Sequence, residues 1–86
     1  MRDLSDLNGA RAAFERALKI NEITFGKEHP QVAINLWWLG IIFRDEGSKY
    51  AAKEYFERAL AIFKKFLPPN NPTIKTVQGN LDALDE

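Results

Sequence analysis

The chain contains no cysteine, and this one absence excludes disulfide frameworks, thiolate nucleophiles, zinc ribbons and iron–sulfur clusters. Histidine occurs once, at His29, with only Glu28 beside it. Metal ligation needs partners at ligand spacing, so His29 reads as a helix cap or loop residue and no metal is expected. Excess charge of one sign is also lacking, because twelve Lys+Arg balance twelve Asp+Glu. A nucleic-acid binder would carry a basic footprint, so no nucleic-acid partner is expected. No run approaches the ~18 apolar residues that span a bilayer. The first ten residues carry Arg2, Asp3 and Asp6 and no apolar core of a signal peptide. The expectation is a cytoplasmic protein with no membrane partner. Gly26, Gly40, Gly47 and Gly79 are isolated, so no phosphate-cradling loop can be built and no cofactor is expected. Carboxylates such as Asp3, Asp6, Glu15, Glu54 and Glu57 fall on solvated helix faces. None is paired in an apolar pocket that would tune it for acid–base work, so no catalytic residue is assigned and the chain is not expected to be an enzyme. With 86 residues it forms one small domain. A chain of that size buries only about 60–65% of its unfolded surface, which argues against a deep cleft.

What the chain does have is an internal repeat. Phe14-Glu15-Arg16-Ala17-Leu18 returns as Phe56-Glu57-Arg58-Ala59-Leu60, an offset of 42. The same offset pairs Arg2-Asp3 with Arg44-Asp45, Ala10 with Ala52, Ile20 with Ile62, Pro30 with Pro72, and Leu39 with Leu81, eleven identities among 44 aligned pairs. Two copies of such a unit point to stacked helices. The punctuation predicts four. The first runs from about Ser5 or Asp6 to Phe25 and ends at Gly26, which can turn left-handed. The second opens at His29-Pro30 with proline at the first helical position and closes at Gly47. The third takes Ser48 as its N-cap and stops before Pro68-Pro69. The fourth repeats the device at Asn71-Pro72 and runs to about Leu84. No strand pattern is present, so the fold class is all-α.

Small residues (Ala10, Ala17, Gly40, Ala52, Ala59) share faces with Phe14, Phe43 and Phe56. This alternation lets antiparallel helix axes approach while the rings fill the gaps. From Pro30 to Pro69 the order Leu36, Leu39, Gly40, Phe43, Ala52, Phe56, Ala59 resembles the tetratricopeptide repeat. The longer unit, opened by His29-Pro30 and carrying Phe56-Glu57-Arg58-Ala59-Leu60, is similar to the 42-residue kinesin-light-chain type. The resemblance implies a right-handed superhelical solenoid of helix hairpins whose first helices line a concave groove for peptides or partner proteins. Three departures stand out. Tyr50 comes one place later than the usual aromatic. Trp37-Trp38 occupy positions where this type carries an asparagine pair that clamps peptide backbones. In the next unit Asn80 keeps the second of those positions, and Gly79 replaces the first. The groove therefore reads as more apolar and less clamp-like.

In this frame residues 1–29 are the second helix of a broken repeat, 30–71 one complete repeat, and 72–86 the first helix of a further unit. Met1 falls near the end of a preceding helix, and the first helix lacks a neighbour. The chain then reads as an excised piece or as a mini-solenoid completed by association. Ile74, Val77, Leu81 and Leu84 form one stripe on the fourth helix, and Asp82 stands where a small residue would admit another helix, as in a C-terminal cap.

The second helix carries the candidate site. Its packing stripe is Val32, Leu36, Leu39 and Phe43, yet Ile34, Trp37, Trp38, Ile41 and Ile42 are apolar too. Trp38 and Ile42 are open to either reading, buried between flanking helices or exposed. Ile34, Trp37, Ile41 and Arg44 follow a stripe that the repeat frame turns to the concave face, with Trp37 exposed there as an interaction hot spot. The expected partner-binding groove is Ile34, Trp37, Trp38, Ile41 and Arg44 with Thr76 and Asn80 of the fourth helix. Its ligand would be a protein or peptide, and the alternative is a homodimer, with or without helix exchange.

Overall fold

The computed structural model of the protein describes residues 4–85, and they form four helices: α1 (Leu4–Phe25), α2 (Pro30–Asp45), α3 (Lys49–Phe66) and α4 (Pro72–Leu84). No strand occurs among the described residues. The expectations that Met1 closes a preceding helix and that Asp3 is solvated lie outside them, as does the Arg2-Asp3 half of the Arg44-Asp45 pairing. The side chain of Asp6 is likewise not described.

Each boundary has a local cause. α1 ends where Gly26 takes φ +93°. α2 opens with His29, whose Nδ1 accepts from the Gln31 N–H at 3.1 Å, and Pro30 occupies the first turn. α4 copies the device: Asn71 Oδ1 accepts from the Thr73 N–H at 2.9 Å, ahead of Pro72. At the end of α2 the Ser48 N–H reaches Phe43 O at 2.8 Å and the Gly47 N–H reaches Arg44 O at 3.0 Å. This double closure needs a left-handed residue, supplied by Gly47 at φ +87°. It also corrects the expected cap of α3. Ser48 stands at the N-cap position, but its hydroxyl makes no capping bond, because its backbone is committed to closing α2. α3 stops as Leu67 turns extended (φ −119°, ψ 150°) ahead of Pro68.

The helices pack in chain order, α1 on α2, α2 on α3 and α3 on α4. Arg11 meets Glu46 while Asn21 meets Asn35, so α1 and α2 run antiparallel. Val32, Ala33, Leu36, Leu39, Ala52, Phe56, Ala59 and Val77 are fully buried. Phe56 is the centre of the α2–α3 seam. A Cβ placed on Gly40 would lie 2.7 Å from its Cδ1 and Cε1, so only glycine lets the two axes approach this far. Phe43 is half-buried and stacks on Tyr55 at 5.2 Å, with the Arg11 guanidinium over its ring. None of the described helices is long and apolar enough to cross a membrane.

Candidate functional site

The two tryptophans of α2 divide between its two seams. Trp38 leans towards α1, stacking on Phe14 with centroids 5.7 Å apart, and remains 44% exposed. Trp37 turns towards α4. Its Nε1–H donates to Asn80 Oδ1 at 2.8 Å, and its ring meets the Phe63 ring edge-on at 6.4 Å. Trp37, which the repeat frame places open in the groove, is therefore half-buried and packed against the core. The physical reason is that an indole offers a large apolar body and one N–H. The wedge between α2, α3 and α4 accommodates the body, and Asn80 supplies the acceptor.

The remaining groove candidates are spread along the helices. Ile34 is 37% exposed and Ile41 is half-buried against the core, while Ile42, outside the expected groove and open to either reading, is buried. The Arg44 guanidinium turns to the neighbouring Asp45 carboxylate at 3.3 Å. The Thr76 hydroxyl is exposed and donates to Pro72 O at 2.9 Å. Of the candidate residues, the structure brings Trp37 and Asn80 into direct contact. It leaves Ile34 and Trp38 as the open apolar side chains of α2.

Two features escaped the sequence reading. Asn35 is buried and accepts from Asn21 Nδ2 at 2.6 Å, a polar tie in the α1–α2 seam. The available signal was a single amide inside the otherwise apolar run from Val32 to Phe43. Phe25 stacks on the His29 ring at 4.4 Å, holding the first loop. Tyr55, stacked under Phe43, has its phenol pushed to a higher pKa by burial first and by the Glu15 carboxylate second. No cluster of three or more histidine, aspartate or glutamate side chains that could hold a metal gathers among the described residues.

A bare glycine under an aromatic ring, helices in antiparallel pairs and a 42-residue period match one family, and its model, the tetratricopeptide repeat, covers residues 1–65. The chain belongs to the tetratricopeptide repeat family. The period is consistent with the kinesin-light-chain type of this repeat. The match closes near the end of α3, so α4 follows the matched region as a further helix of the solenoid. No curated protein shows significant similarity to the chain. Tetratricopeptide repeats are non-catalytic modules that mediate protein–protein interaction, and the departures from the pattern now have places. The asparagine pair is replaced by Trp37, which holds α4, and Trp38, which stays open.

Proposed function

We propose that the chain binds a protein segment, a peptide or a partner helix, on the face of α2 that carries Ile34 and Trp38. The groove continues past Ile41 and Trp37 to Asn80 and Thr76 of α4, and Arg44 orients the ligand at one end. The observation that carries this reading is an excess of apolar surface on one helix. Val32, Ala33, Leu36, Leu39 and Ile42 already bury the packing side of α2, and Ile34 and Trp38 remain 37% and 44% exposed. A partly exposed indole beside aliphatic side chains is the chemistry of an interaction hot spot. Peptides selected by display against the wild-type chain supply the test, with affinities measured by calorimetry. Trp38→Ala is expected to weaken the selected peptides by about 2 kcal/mol, roughly 30-fold, with helical content retained. Undiminished binding by Trp38→Ala together with Ile34→Ser would overturn the assignment.

A second reading is self-association through α1. Ile20 is 56% exposed and Ile23 87% exposed, whereas Ile62, the repeat counterpart of Ile20, is 4% exposed. Light scattering over a concentration range separates the two. A dimer lost on Ile20→Lys with Ile23→Lys supports association, and a monomer at all concentrations leaves α2 as the working surface.

A further inference from the structure

Two asparagines meet inside the seam between α1 and α2. Asn21 Nδ2 donates to Asn35 Oδ1 at 2.6 Å, with Asn35 8% exposed and Asn21 half-buried. Moved forward by the repeat offset of 42, these positions are Phe63 of α3 and Val77 of α4, and both are buried. The fold therefore accepts an apolar pair at this place, and burial alone would favour one. An amide taken out of water is unfavourable unless a partner meets it. Here the partners are in place: among the described residues no buried side-chain nitrogen or oxygen lacks one.

What the amides add is direction. In an antiparallel pair, a slide of one turn, about 5.4 Å, would set Asn21 against Val32 and Asn35 against Leu18. In the other sense it would set Asn21 against Leu39 and Asn35 against Phe25. All four of these neighbours are apolar, so both amides would lose their partner at once. An apolar pair carries no such penalty, because hydrophobic attraction is non-directional. The other polar link across this seam, Arg11 to Glu46, starts from a side chain that is 37% exposed and long enough to follow a slide. α4 has a directional tie of its own in the Trp37–Asn80 bond. We propose that Asn21 and Asn35 form a register pair, which holds α1 at one setting along α2 and adds little net stability. That setting places Phe14 against Trp38 at 5.7 Å between centroids, whatever the α2 face binds.

Two variants of the full chain supply the test. Asn21→Leu leaves the buried Asn35 amide alone and should raise the unfolding equilibrium constant about tenfold in urea titrations. Adding Asn35→Leu replaces both amides by side chains of similar size and should recover most of that loss. The chain has two tryptophans, so a proton–nitrogen correlation spectrum of the wild type should hold two indole resonances. In the double variant the Trp37 resonance should stay single, because its acceptor Asn80 lies on α4. The Trp38 resonance should split or broaden as α1 takes more than one setting. Two sharp indole resonances in the double variant overturn the proposal, because the register then stands without the amides. A double variant no more stable than Asn21→Leu, or one without helical circular dichroism, also overturns it, because the pair would then hold the seam by its strength. So does an Asn21→Leu chain with the wild-type unfolding constant, since the Asn35 amide would then not depend on its partner.

Discussion

Gly40→Ala tests the closest contact of the fold. The added Cβ would lie 2.7 Å from two ring carbons of Phe56, against about 3.5–4.0 Å for carbon atoms at their optimum. Phe56 is fully buried and shares its helix face with Ala52 and Ala59, both at 0% exposure, so the ring has no free space to rotate into. Relief requires α2 and α3 to separate by a large fraction of an ångström along their whole seam. Overpacking of this kind costs about 2–3 kcal/mol. Alanine returns about 1 kcal/mol through its better helix propensity, leaving a net loss of about 1–2 kcal/mol. For a domain of this size that corresponds to a fall in Tm of roughly 5–10 °C. Urea unfolding followed by circular dichroism at 222 nm, with a thermal melt alongside, gives the measurement. Adding Phe56→Leu, which removes the clashing ring edge, should recover part of the loss in a double-mutant cycle. A Gly40→Ala chain that melts at or above the wild type would refute the reasoning, because the seam would then be loose enough to absorb a methyl group.

Trp37→Ala should destabilise the chain by about 3 kcal/mol in urea unfolding, because a packed indole and its bond to Asn80 are lost together. Trp38→Ala should lower stability by less than half as much, and equal losses would contradict the division of the two rings between wedge and surface. Asn71→Ala should cost about 1 kcal/mol as the cap of α4 disappears. Ser48→Ala should leave the unfolding midpoint nearly unchanged, since its hydroxyl caps nothing. Tyr55 has its pKa raised in the folded chain, so its contribution to stability is complete below the ordinary phenol pKa and declines as the pH rises beyond it. Tyr55→Phe should flatten the alkaline part of the stability profile relative to wild type, and an unchanged slope above about pH 10 refutes the assignment.

The helix boundaries were legible because their causes are local. His29-Pro30 and Asn71-Pro72 carry both cap and proline within two residues, and each opens its helix in the structure as the spacing predicts. Ser48 has the same local credentials and does not cap, because closing α2 through Gly47 had already committed its backbone. The candidate site was legible only as a helix with too much apolar surface. Trp37 and Trp38 are chemically identical neighbours about 100° apart on one helix. Which one is covered depends on where Asn80 and Phe14 arrive from, 43 residues later and 24 residues earlier.

By itself the sequence determined the all-α class, the 42-residue period, the four helices and the small-against-large packing code, since each follows from propensity, capping and periodicity within a few turns. The tertiary structure alone decided which apolar side chains are surface. Ile20 and Ile62 occupy the same place in the repeat, yet one is 56% exposed and the other 4%. Their difference lies in the neighbours, because burial is a property of what packs against a residue, and periodicity assigns a face without saying whether anything covers it.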